Sequence, residues 1–276
     1  MSKGVLVDTT KCIGCRGCQV ACKQWNELPA EVTTNTGTYE NPPRMSAKTF
    51  TKIHFTEVEY GGKFHWVFNK LQCMHCEEPG CAEACIVGAL QKTPGGPVTY
   101  DDRKCIGCRY CQVACPFGIP NFQWDKAVPW IRKCTFCADR QGQVAKINGV
   151  DRVLEPACVT TCPTGALEFG EREDLITVAR DRMAAEPGRY VDHIYGEEEV
   201  GGTSWLYLSP VPFEMLGFPT VGTEAVTRNA KRITFMVPWV LIGVAGVMTG
   251  IYFLTKRRQK ISQIENSKKE KTGVTK

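Results

Sequence analysis

The chain of 276 residues holds little of what an active site is usually built from. Its four histidines are scattered, no nucleophile elbow or Gly-rich phosphate loop occurs, and no H-E-x-x-H pair offers itself to a catalytic metal. Substrate chemistry by the chain alone is therefore not expected. The opening "MSKGVLVDTT" has no apolar export core and no twin arginine. If the folded body stands outside the cytoplasm, a partner bearing a twin-arginine signal is expected to carry it there. Basic charge is missing from the body too. The net charge is +5, but the segment after Leu254 carries eight Lys/Arg and two Glu, leaving residues 1–254 with 26 basic and 27 acidic side chains. A nucleic-acid binder shows a basic face on its folded body, so no nucleic acid is expected as a partner.

What the chain has in excess is cysteine, sixteen in all. The phrase "KCIGCRGCQVACK" (11–23) returns as "KCIGCRYCQVACP" (104–116), with eleven of thirteen positions identical and the spacing C-x2-C-x2-C-x3-C kept. A second repeat relates "PGCAEACIVGAL" (79–90) to "PACVTTCPTGAL" (156–167), each preceded by a C-x2-C. The cysteines fall into four groups with none left over: Cys12, Cys15, Cys18, Cys22; Cys73, Cys76, Cys81, Cys85; Cys105, Cys108, Cys111, Cys115; and Cys134, Cys137, Cys158, Cys162. A C-x2-C-x2-C loop wraps three thiolates around one iron–sulfur cluster, while the fourth cysteine, already in a helix, is carried to a second. Four groups thus predict four [4Fe–4S] clusters. Disulfides suit such tight spacing poorly. Structural zinc needs only two C-x2-C pairs per site, so half of each group would be surplus.

Between the groups, "TKIHFTEVEYGGKFHWVFNKL" (51–71) predicts a hairpin about Gly61-Gly62, and "VLVD" and "PVTYD" predict short strands. "EREDLITVARDRMAAEPG" (171–188) predicts a surface helix with an acidic start and a Pro-Gly stop. Residues 201–232 are expected to be an extended connector that contacts partners, after a four-cluster domain over 1–200. Residues 233–254 form an uncharged run of twenty-two; as a helix it would extend roughly 33 Å, against about 30 Å of hydrocarbon. Trp239 and Tyr252 stand near its ends as interfacial aromatics do, Gly246 and Gly250 form a small-residue face, and Pro238 falls in its first expected turns. Residues 255–276 are expected to be a basic tail. Three basic residues precede the span and eight follow it, which places the C-terminus in the cytoplasm and the cluster domain outside.

Loop closure alone would pair neighbouring cysteine groups, whereas the repeat suggests two interlocked halves. In its cysteine motifs the chain resembles the four-cluster iron–sulfur subunits of molybdenum or tungsten oxidoreductases. Within that family it looks most like the beta subunits of membrane-bound formate dehydrogenases. The likeness runs through "CIGCRGCQVACKQWNELPAE", "QCMHCEEPGC", "CRYCQVACPFGIP", "KCTFCADR" and "EPACVTTCPTGALEFG" into "YGEEEVGGT" and one C-terminal membrane helix. It implies an α+β fold of tandem bacterial-ferredoxin-like modules with pseudo-two-fold symmetry, groups 1 and 4 forming one module and groups 2 and 3 the other. It implies Cys12, Cys15, Cys18 and Cys162 on cluster A, and Cys134, Cys137, Cys158 and Cys22 on cluster B. Cys73, Cys76, Cys81 and Cys115 would hold cluster C, and Cys105, Cys108, Cys111 and Cys85 cluster D. Some relatives have Trp at one position of the third group and a three-iron cluster there; Cys108 is present here, so four cubanes are expected. Ile86 stands where the family commonly has Pro.

The resemblance implies a non-catalytic electron-transfer subunit. It would relay electrons from a formate-oxidising molybdenum/tungsten alpha subunit to a membrane cytochrome b gamma subunit and quinone, anchored in the inner membrane by 233–254. The stretch 193–219 also resembles iron–sulfur subunits of membrane-bound nickel–iron hydrogenases, so a hydrogenase or another molybdoenzyme complex is the alternative; a zinc-binding anchor is a third. Lys11, Arg16, Lys104, Arg109 and Lys133, beside the thiolates, either raise cluster potentials or are solvated surface charges. His75, inside "CMHC", either relays towards a partner's haem or is a packed hydrogen-bonding group. Trp25, Trp66, Trp124 and Trp130 are expected in core or interface packing.

Overall fold

Two apolar runs, far apart in the chain and neither alternating with polar residues, meet at the centre of the fold. The computed structural model describes residues 2–272 apart from 128 and 148. In chain order the elements begin with β1 (Lys3–Asp8), α1 (Gly17–Trp25), β2 (Lys52–Tyr60), β3 (Lys63–Leu71), α2 (Gly80–Glu83), β4 (Leu90–Lys92) and β5 (Val98–Tyr100). There follow α3 (Tyr110–Val113), β6 (Asn121–Phe122), β7 (Ile131–Arg132), β8 (Val144–Ile147), β9 (Val150–Val153) and α4 (Ala157–Thr160). The last are β10 (Leu167–Glu171), α5 (Arg172–Ala185), β11 (Trp205–Leu208) and α6 (Arg228–Thr272). The chain divides into two units, residues 1–227 and 228–276.

In the first unit β1 is the middle strand of the sheet β10-β1-β11. It runs antiparallel to β10, with Val5 opposite Phe169, and parallel to β11, with Val5 opposite Trp205. Successive side chains of a strand point to opposite faces, and here both faces are covered. Val5, Val7, Trp205 and Tyr207 share a core with Met74, Phe136, Phe213, Leu216 and Phe218. Leu6, Leu206 and Leu208 turn the other way onto Leu175, Ile176 and Ala179 of α5. A strand buried on both sides reads as unbroken apolar sequence, which is why "WLYL" shows no period. The segment 201–232 expected as a connector therefore contains a core strand: Trp205–Leu208 is buried along its whole length, all four residues 0% exposed. The other strands pair as local hairpins, β2-β3, β4-β5, β6-β7 and β8-β9. The predicted hairpin joins Tyr60 to Lys63 through Gly61 and Gly62 at φ 60° and 71°, both positive as a two-residue I′ turn requires. The predicted surface helix is α5, with Glu173 and Asp174 in its first turn.

The second unit is one helix. α6 starts at Arg228, so Pro238 lies well inside it rather than in the opening turns; its ring removes one i→i−4 bond there. The helix also runs through most of the expected basic tail, because "TKRRQKISQIENSKKEK" contains no glycine or proline and is rich in good helix formers. The last four residues of that tail lie outside the described residues. From Arg232 to Lys268 the helix is long and apolar enough to cross a membrane, and every residue in that range is exposed.

Tight backbone approaches fix how the first unit closes. A Cβ on Gly196, at φ 98°, would stand 2.1 Å from the Trp205 carbonyl oxygen, whereas Gly188, at φ 83°, has nothing within 4 Å. Gly196→Ala is expected to cost about 2–4 kcal/mol through strain and collision, and Gly188→Ala clearly less. The loss of visible absorbance on heating the loaded protein measures both, and equal losses would contradict the close approach of this turn to β11.

Candidate metal centres

The two repeated phrases fold alike. Gly14 and Gly107 have φ 65° and 71°, and Arg16 and Arg109, which precede α1 and α3, have φ 60° and 64°. These left-handed positions curl each C-x2-C-x2-C loop back upon itself before its helix begins. The other cysteine turns share a device as well. Gly88, Gly118 and Gly165, each three residues after a group's last cysteine, have φ 62°, 61° and 63°. Ile86 in place of Pro does not change that turn: Gly88 N–H donates to the Cys85 carbonyl at 3.0 Å and Ala89 N–H to Cys85 Sγ at 3.2 Å.

All sixteen cysteines are free thiols, and the sulfurs gather in sets that mix distant segments. One cavity is lined by Cys12, Cys15, Cys18 and Cys162, with Ile53, Leu167 and Lys70. Another is lined by Cys85, Cys105, Cys108 and Cys111, with Leu90 and Ile131. Burial pushes the Cys76 thiol well above its ordinary value, and Cys73, Cys115 and Cys81 around it add to the rise. Burial pushes Cys22 up to about 12, with Cys158 and Cys137 adding and Lys70 opposing. Electrostatic influence between sets runs in a row. Cys18, pushed up to about 12 by burial, also feels Cys158; Cys134 feels Cys22 and Cys73; Cys81, again about 12, feels Cys73 and Cys111.

This donor set fits cubane clusters. Sulfur is the only donor type in each set, and backbone N–H groups point at sulfur, as from Phe136 to Cys134 Sγ at 3.3 Å. Among the described residues no three His, Cys, Asp or Glu converge tightly enough for a single metal ion. In two of the sets the four sulfurs line a cavity between them, as ligands that each bind a different iron of one cube would.

The neighbouring charges separate into two kinds. Lys11 lies 3.7 Å from Glu168 and Lys104 lies 3.7 Å from Asp101, both at the surface. Arg16 rests 4.9 Å above the Phe55 ring and Arg109 5.1 Å above Trp124. Lys133, in contrast, is buried and donates to the carbonyls of Val98 (2.5 Å) and Cys134 (3.1 Å). Lys70, which carries no motif, is buried as well and lines the first sulfur cavity; only its long-range setting betrays it. His75 is fully buried and stacks on Phe136 at 4.9 Å. Its Nδ1 accepts from Val98 N–H at 2.9 Å, and burial, followed by Lys133, Lys92 and Lys70, holds its pKa well below the usual range. It is a neutral ring packed in the interior. Of the tryptophans, Trp66 and Trp124 are exposed, while Trp205 holds the core.

Residues 64–172 match the 4Fe-4S dicluster domain, and a second family of the same description matches residues 11–89. A protein of Nitratidesulfovibrio vulgaris is 44% identical over 99% of this chain and 72% of its own length. The nitrate-inducible formate dehydrogenase iron-sulfur subunit of Escherichia coli is 43% identical over 74% of this chain and 66% of its own length. The Hydrogenase-2 operon protein HybA of Escherichia coli O157:H7 is 32% identical over 94% of this chain and 85% of its own. The chain thus spans just under two thirds of the formate dehydrogenase subunit it matches.

Raised thiol pKa values make the cluster-free fold sensitive to alkali. A thiol with an ordinary pKa of 9.0 that folding raises to about 12, as at Cys18, Cys22 and Cys81, binds more protons folded than unfolded. Its stabilising contribution is complete below pH 9.0 and is lost as pH climbs towards 12. The thermal midpoint of the cluster-free chain should therefore fall steadily over that window, and less steeply in Cys18→Ala. A midpoint independent of pH there would show that these thiols are not buried.

Proposed function

Because the chain belongs to the family of 4Fe-4S iron–sulfur subunits that includes those of formate dehydrogenases, we propose that it serves a formate-oxidising complex. It is an electron-transfer subunit carrying four [4Fe–4S] clusters, not a catalyst by itself. In the proposed complex it takes electrons from a molybdenum or tungsten subunit and passes them to a membrane cytochrome b and quinone. We read the body as α+β, two ferredoxin-like modules related by a pseudo-two-fold axis.

The proposed ligand sets are Cys12, Cys15, Cys18 and Cys162 (A); Cys22, Cys134, Cys137 and Cys158 (B); Cys73, Cys76, Cys81 and Cys115 (C); and Cys85, Cys105, Cys108 and Cys111 (D). When bound, the clusters supply one-electron carriers whose potentials depend on net charge, hydrogen bonds to sulfur and burial. The chain's own residues hold the sulfurs, keep water out and expose the ends. The single observation that carries the reading is that sulfurs from distant segments line two cavities, Cys12, Cys15, Cys18 and Cys162 about one and Cys85, Cys105, Cys108 and Cys111 about the other, with Cys134 and Cys73 electrostatically linked in a row between them. At its two ends the repeat-equivalent Ile13 and Ile106 are 59% and 61% exposed. The rings of Phe64 and Trp66 on β3, and those of Tyr110 and Trp124 near the second phrase, are exposed as well. We assign the first face to the electron donor and the second to the acceptor. α6 would cross the inner membrane and dock on the cytochrome; with Arg257, Arg258 and Lys260 following its apolar run, the positive-inside bias favours a cytoplasmic C-terminus and an external cluster domain.

Coverage favours one second reading. The match to HybA takes in 94% of this chain, against 74% for the formate dehydrogenase subunit, which supports a hydrogenase complex; the large subunit that co-purifies decides between them.

Cys111→Ser tests the relay. It should remove or convert one cluster and lower formate-to-quinone activity by an order of magnitude or more, while formate-to-dye activity at the catalytic subunit stays largely intact. Equal loss of both would mean that the sets do not act in series.

A further inference from the structure

Two buried lysines, Lys70 and Lys133, have no carboxylate partner among the described residues. An ammonium group taken from water without a counter-charge is strongly disfavoured, so each needs an explanation. Lys70 has the more complete setting. It is 2% exposed, and its Nζ donates to Thr51 Oγ1 at 2.8 Å and Gln72 Oε1 at 2.9 Å. Both acceptors are themselves fixed. Thr51 Oγ1 donates to the Leu71 carbonyl at 2.9 Å, and Gln72 Nε2 donates to the Tyr207 hydroxyl at 2.5 Å. That hydroxyl in turn donates to the Lys70 carbonyl at 2.8 Å. From the remaining side Nζ stands 4.4 Å above the Trp205 ring.

Every one of these contacts is neutral, so the network places the charge without neutralising it. The negative charge lies in the sulfurs. Lys70 lines the cavity of Cys12, Cys15, Cys18 and Cys162. Burial pulls its pKa down, yet Cys158, Cys18, Cys134 and Cys22 outweigh burial and the net direction is up. The side chain thus stands between sets A and B.

We propose that the Lys70 ammonium is the built-in counter-charge of the first module and holds the reduction potentials of its two clusters up. The inference rests on the ligand sets proposed above. Each reduction adds one electron and one negative charge to a site; a fixed cation nearby stabilises the reduced form more than the oxidised form, which raises the potential. Lys70 is a positioning and potential-setting residue, and it keeps its proton throughout.

The test is a redox titration of the intact, cluster-loaded complex followed by electron paramagnetic resonance, with iron and sulfide counted on the same samples. Lys70→Met and Lys70→Gln remove the charge, and Lys70→Arg keeps it. The expected result is full iron in all variants and a fall of at least about 59 mV, tenfold for one electron, in one or two of four midpoints for the Met and Gln variants. The Arg variant should stay near wild type. If both neutral variants lose iron while Arg retains it, the counter-charge role stands as a requirement for loading. Unchanged midpoints at full iron in the Met and Gln variants, or iron lost from all three variants alike, overturns it. A wild-type protein with far fewer than four clusters would instead overturn the ligand sets, so the two failures are distinguishable.

Discussion

Thiolates cannot be buried by themselves, and most of this fold follows from that constraint. Nine of the sixteen cysteines have a thiol held above its ordinary pKa, burial being the first cause in each. The interior tolerates the deprotonated sulfurs when iron shares their charge and when cations such as Lys70 and Lys133 stand close. Iron binding and folding are thus coupled: loading draws protons off the thiols, and the charge that would open an empty interior closes a loaded one.

The backbone answers the same need by bending tightly around each sulfur set. Left-handed residues at Gly14 and Arg16, repeated at Gly107 and Arg109, curl the first three cysteines of each phrase into a tight loop, and a helix then carries the chain on towards the fourth. α1 packs on α4 and α2 on α3, so helices of the first and fourth cysteine groups meet, as do those of the second and third. The sheet β10-β1-β11 clamps the first and last of these stretches together, and both of its faces are apolar. Rigidity suits an electron relay, whose parts must keep fixed separations while charge passes.

Much of this was legible in the sequence because it is written locally. The cysteine groups, the Gly61-Gly62 hairpin, the helix begun by Glu173 and Asp174, and the apolar run from Ile233 each have a signal within a few residues. What escaped depends on contacts across the chain. Trp205–Leu208 lacks alternation because both faces are covered, and its partner β1 is some two hundred residues away in sequence. Lys70 ends a hairpin strand whose tip is exposed and whose base is buried; a lysine in an alternating run reads as solvent-facing until the sulfur sets close over it. Lys133 could be picked out beside Cys134, but not told apart from Lys11 or Lys104, since only the tertiary setting removes it from water. The helix continuing past Leu254 shows the opposite case, where local propensity extends an element beyond the point at which its apolar character stops.

The proposed assignment of every cysteine to iron fixes a stoichiometry. The most direct measurement is the iron and acid-labile sulfide content of anaerobically isolated protein. Four clusters of four irons predict about sixteen of each per chain, with the brown absorbance and the paramagnetism on reduction that accompany them. A colourless protein holding about four zinc ions, or one fully loaded with far fewer irons, would contradict the account at its base.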